Sequence, residues 1–194
     1  YNKSDYPAPA CSSIRGHAIH ITDISGITLP GTSLSSYCYA YMFAGCPLTT
    51  IPYSLFNTIA TVTYSANHQY CLKGMFFNCT SLTEIPSSVI LATKRVGYGC
   101  FEYMFCECTN LTTIYSGLLR ATGLTATYSY ATECYKGMFQ GGTSLTTIPN
   151  GFLPATSLDQ KSYESMFQGF TSLTTIPANL LPITNLRTYG GQMC

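Results

Sequence analysis

Charge is scarce in this chain: Asp, Glu, Lys and Arg make up 9% of its 194 residues, against roughly a quarter in ordinary soluble domains. The nine Lys and Arg residues are scattered along the sequence. They cannot neutralise a run of phosphates, so neither nucleic acid nor an anionic membrane surface is an expected partner. Tryptophan is absent, and histidine occurs only at His17, His20 and His68. No apolar run approaches the roughly 20 residues of a membrane span, which argues against membrane insertion. No basic-then-apolar targeting segment opens the chain, and a start at Tyr1 suggests a processed product or a fragment.

What is present is hydrophobic and hydroxyl-rich. Apolar residues reach 46%, enough for a continuous core, and 16 Tyr accompany abundant Ser and Thr. A formal net charge of +1 leaves little repulsion between copies, which favours self-association.

One phrase recurs five times, at Met42-Phe43, Met75-Phe76, Met104-Phe105, Met138-Phe139 and Met166-Phe167, each followed by a Leu-Thr-x-Ile phrase such as Leu82-Thr83-Glu84-Ile85-Pro86. The Met-to-Met spacings are 33, 29, 34 and 28, so long and short units alternate. The extra residues of the long units include Thr61, Thr63 and Tyr64 in one and Thr125, Thr127 and Tyr128 in another, and their β-prone character predicts a lengthened strand or hairpin. A sixth unit starts at 189–193, as if the array were cut or closed by a degenerate coil.

Cys71, Met75 and Cys79 recur at i, i+4 and i+8, as do Cys38, Met42, Cys46 and Cys100, Met104, Cys108, which predicts an apolar stripe on a short helix. Gly45, Gly141-Gly142 and Gly169 fall where such helices would end. The Leu-Thr-x-Ile-Pro phrase predicts a short strand closed by Pro. The expected fold is thus an α/β solenoid, a leucine-rich-repeat-like stack of short parallel strands and short helices with five full coils. Its core column is Met42, Phe43, Met75, Phe76, Met104, Phe105, Met138, Phe139, Met166 and Phe167. Residues 1–36, with an alternating segment at 18–24, predict an N-terminal lead-in and capping strand, and 37–194 the repeat array.

The phrase Met-Phe-x-x-Cys-Thr-Ser-Leu-Thr-x-Ile-Pro at 75–86 resembles the BspA-like class of leucine-rich repeats. The resemblance spans about residues 37–194. It implies a secreted or surface-displayed adhesion protein, or a virion component, since related arrays occur in phage proteins. The 28 to 34-residue period is longer than that family's usual coil, and Gly142 and Phe170 replace its second Cys.

Catalytic chemistry has little to draw on. No Ser or Cys sits in a nucleophile motif, no Gly-rich phosphate loop occurs, and no cofactor is implied. Glu102 and Glu107 are expected on either side of a Met-Phe helix, facing solvent. For metal, Cys11 with His17 and His20, and Cys106-x-Cys108, both lack the paired spacing of a structural zinc site. The chain is therefore expected to be no enzyme and to hold no metal.

Seven of the ten cysteines fall in two repeat columns and are most simply small buried hydrophobes. Two Cys eight residues apart on one straight helix are ~12 Å apart, too far to bridge. The off-column Cys11, Cys106 and Cys194 are the candidates for a bridge. The Thr columns, and the Thr-x-Thr pairs at Thr61-Thr63 and Thr125-Thr127, could order water, though β-propensity on a solvated face explains them more plainly. Sequons at Asn2, Asn78 and Asn110 are expected by chance in so Thr-rich a repeat.

Tyr64, Tyr70, Tyr128 and Tyr130, with the Thr pairs beside them, form the candidate contact surface, because rigid amphipathic rings stack on sugars or fill protein pockets. The expected role is an extracellular or cell-surface interaction scaffold for a protein or glycan. The alternative is a structural subunit of a virion or a self-assembling filament.

Overall fold

The computed structural model describes residues 20–29, 34–56, 69–87, 97–120 and 132–186. Among these there is no α-helix. Regular structure is limited to a 3-10 turn at Tyr53–Phe56 and two two-residue strands, β1 (Ser157–Leu158) and β2 (Asn185–Leu186), which pair in parallel. Single parallel bridges join Glu84 to Thr113 and Thr147 to Thr175. The expected α/β solenoid of short helices and strands is overturned by this absence of helix and near-absence of strand.

The Met-Phe segments are instead runs of consecutive turns. The N–H groups of Ala40, Met42, Ala44 and Cys46 donate to the carbonyl three residues back, where a helix would use the fourth. The alternate N–H groups, of Tyr37, Tyr39, Tyr41, Phe43 and Gly45, leave the segment. They donate to the carbonyls of Gln69, Cys71, Lys73, Met75 and Phe77 in the next copy at 2.8–3.0 Å. Five such bonds recur at each of the next three junctions, from 70–78 to 98–106, from 99–107 to 132–140 and from 133–141 to 160–168. Each is worth about 1 kcal/mol net.

This geometry requires a positive φ at every fourth residue: Tyr37, Tyr41, Gly45; Tyr70, Gly74, Asn78; Gly99, Tyr103, Glu107; Glu133, Gly137, Gly141; Lys161, Ser165, Gly169. An L-residue there costs roughly 1–2 kcal/mol, and Gly is accordingly the most frequent residue at these positions. Gly45, Gly141 and Gly169, expected to end helices, are the third such position in their segments. At Gly74 and Gly137 space matters too. A Cβ would stand 2.1 Å from the Tyr41 ring at the first and 2.2 Å from the Tyr103 ring at the second.

Side chains consequently alternate in pairs. Cys71 and Leu72 are buried, Lys73 is half-buried, Met75 and Phe76 are buried, Phe77 and Asn78 are more exposed, and Cys79 is buried again. The i, i+4, i+8 apolar pattern has a period of four and no helix beneath it.

The Phe rings lie in consecutive contact along the copies, Phe43 to Phe76 at 5.7 Å, then Phe105 and Phe139 at 5.5 Å each, then Phe167 at 6.5 Å. Phe101, Tyr135 and Tyr163 stack in a second row at 5.4 and 5.7 Å. Met75, Met104, Met138 and Met166 are buried with them. Met42, expected in the core, is instead 48% exposed, although Phe43 beside it is buried. Phe167 is partly buried.

In the Leu-Thr-x-Ile phrase, Leu82 and Ile85 are both buried although three residues apart, which no two-residue strand period allows. Thr83 and Thr112 donate their hydroxyls to the Thr49 and Thr83 carbonyls at 3.4 and 3.2 Å, joining copies to one another. Of residues 1–36 the structure describes 20–29 and 34–36. The described part of 18–24 is not a strand, while Ile24, Leu29 and Leu34 are buried against the core.

Candidate functional site

The period of four places the same position of each copy in one column. One column reads Ala40, Lys73, Glu102, Lys136, Glu164, and the column beside it reads Tyr37, Tyr70, Gly99, Glu133, Lys161. Opposite charges thus alternate along the array. Lys73 Nζ lies 2.8 Å from Glu102 Oε2. Lys136 meets both Glu133 and Glu164 at 3.5 Å, and Lys161 meets the same two acids at 3.6 and 3.7 Å.

The solvent-facing position expected for Glu102 is overturned, for its residue is 5% exposed. Burial pushes its carboxyl above the ordinary value, opposed by the Lys73 ammonium. Lys136 is the converse. Burial would lower it, but Glu133 and Glu164 together hold it above its ordinary value.

Tyrosines continue the charged columns toward the first copies. The Tyr37 and Tyr70 rings stack at 4.9 Å, and Tyr70 and Tyr98 meet edge to face at 5.1 Å. Lys73 Nζ stands 4.7 Å from the Tyr70 ring centre and 5.9 Å from that of Tyr103. The Tyr98 hydroxyl donates to Glu133 Oε2 at 3.3 Å, tying the aromatic strip to the ion row. Tyr70 is raised well above the usual phenol range by burial, by its hydrogen bond with Tyr98 and by nearby acids. Tyr37 is 56% exposed.

Of the contact residues expected from sequence, Tyr70 belongs to this strip. Tyr64, Tyr128, Tyr130, Thr61, Thr63, Thr125 and Thr127 lie outside the described residues, as do Cys11, His17, His68 and Cys194. Sequence reasoning missed Tyr37, Tyr98 and the Lys-Glu alternation. Aligning the copies on Met would have put Lys73, Glu102, Lys136 and Glu164 in one column.

Cys38, Cys71, Cys79, Cys100, Cys108 and Cys134 are free thiols. Cys106, a bridge candidate by sequence, is fully buried. Among the described residues no three His, Cys, Asp or Glu side chains are placed to hold a metal. Nor is any helix among them long and apolar enough to cross a membrane. No family model matches the chain, and searches of curated proteins and of solved structures return no match.

Proposed function

We propose that the chain is a non-enzymatic extracellular scaffold that binds a protein or glycan through the outward columns of its Met-Phe segments. The observation that carries this reading is the Tyr37, Tyr70, Tyr98 strip, whose rings step along the copies about every 5 Å. A laddered backbone holds the rings in place, so a partner meets them without a large ordering cost. Half-buried Lys73, Lys136 and Glu133 flank the strip with donors and acceptors. The likeness of residues 75–86 to BspA-like repeats supports a surface or secreted setting.

Binding to immobilised glycans and to surface proteins, measured with the parent chain and Tyr37→Ala, tests the proposal. Truncating this exposed aromatic anchor should weaken binding by about tenfold or more. Equal affinity of the two chains rejects the strip as the contact surface.

One observation favours a second reading, a self-assembling structural subunit. Ile176 is 69% and Leu181 50% exposed, and Leu181 lines a hollow of about 400 Å³ together with Leu153, Met166, Phe167 and Leu180 and the polar Tyr163, Ser165 and Gln168. Light scattering against concentration separates the readings: growing particles without ligand support assembly, and a monomer at every concentration rejects it.

A further inference from the structure

The ladder sets the cysteines against one another in a way their sequence spacing does not reveal. Cys38, Cys71, Cys100 and Cys134 occupy the same position in four successive copies, and all four are free thiols. Cys38 and Cys71 face each other across the first junction, their thiols hydrogen-bonded to one another. The contacts agree. Tyr39 N–H donates to the Cys71 carbonyl at 2.9 Å, Cys38 Sγ lies 3.9 Å from that same oxygen, and Cys71 Sγ lies 3.5 Å from the Ser35 carbonyl.

The four sulfurs are not equivalent. Cys38 alone is exposed. Burial, followed by the neighbouring Cys71, raises the Cys38 thiol, while a hydrogen bond from Cys100 lowers Cys71 against the opposing effect of burial. Burial pushes Cys100 and Cys134 upward. The row therefore has at one end the sulfur that a small molecule can reach, with a buried second sulfur directly behind it in position to resolve a mixed disulfide.

We propose that Cys38 and Cys71 form a redox-active pair that takes a low-molecular-weight disulfide as its substrate and closes to a bridge joining the first copy to the second. Cys38 attacks one sulfur of the small disulfide and expels the other as a thiolate, leaving a mixed disulfide on Cys38. Cys71 thiolate then attacks Cys38 Sγ and expels the second small thiolate. The two protein thiols give up two electrons and two protons, and the small disulfide leaves as two thiols. The column of Cys46, Cys79 and Cys108 serves as an internal control. Its members are buried, and burial pushes Cys79 up to about 12.

The folded chain is incubated with oxidised glutathione, quenched in acid, alkylated after unfolding and mapped by peptide mass spectrometry. The expected product is a Cys38–Cys71 bridge, with Cys79 and Cys108 alkylated as free thiols. In Cys38→Ser, a change at an exposed position, Cys71 is expected to stay reduced. A glutathione adduct that persists on Cys38 of the parent chain, Cys38 and Cys71 both left reduced, or Cys71 oxidised in Cys38→Ser would each overturn the proposal.

Discussion

Replacing Gly137 by Ala separates a turn from a helix by the sign of its effect. In a helix interior the change would stabilise the chain by about 1 kcal/mol, because Gly is the poorer helix former. Here Gly137 has φ +57°, and an added Cβ would stand 2.2 Å from Tyr103 Cε1 and 2.4 Å from Cδ1. The left-handed backbone costs an L-residue roughly 1–2 kcal/mol, and displacing a half-buried ring adds about 1 kcal/mol. The expected loss is therefore about 2–3 kcal/mol, or a Tm lower by roughly 5–10 °C in a chain of this size. Urea denaturation of Gly137→Ala measures it. The same change in a Tyr103→Ala background removes the ring and leaves the backbone share together with a 3.0 Å approach to the Gln140 side-chain oxygen. A Gly137→Ala chain as stable as the parent, or more so, refutes the period-four turn.

Two further outcomes follow from the charged columns. Lys73→Met leaves Glu102 buried without its 2.8 Å partner and should cost about 2 kcal/mol. Glu102→Gln should cost less, because burial already disfavours its charge. Equal or reversed losses in denaturant titrations would contradict the pairing. Stability should also fall as the solution becomes alkaline. Tyr70, Tyr103 and Tyr163, raised chiefly by burial, and Lys136, raised by its acids against burial, all bind their protons more tightly in the folded chain. Their stabilisation is complete below the unfolded values of 10.0 for Tyr and 10.5 for Lys, and is lost as pH climbs through the higher folded values. Urea midpoints that stay level across that range would show the shifts to be absent.

The copies and their register are readable in the sequence, because Met-Phe and Leu-Thr-x-Ile recur with fixed internal spacing. Their local conformation is not. A helix drifts only ~40° per four residues, so three apolar positions at i, i+4 and i+8 cannot distinguish a period of 3.6 from one of 4.0. Gly74 and Gly137, in the middle of the expected helices, are the contrary signal, and Leu82 with Ile85 is another, since a strand cannot turn both inward. The solvent-facing expectation for Glu102 fails for the same reason: on the turn geometry its position lies against Lys73 of the previous copy. Spacing within one copy sets the cysteines eight residues apart, whereas the ladder sets each against its counterpart in the next.

NMR couplings across hydrogen bonds report directly which carbonyl each amide meets. The turn ladder predicts a coupling from the Phe76 amide nitrogen to the Met104 carbonyl carbon, and from Met75 to Leu72, matching bonds of 2.9 and 3.2 Å. Couplings from Phe76 to Leu72 and from Met75 to Cys71, four residues back within the same copy, would mean a helix after all and would contradict it.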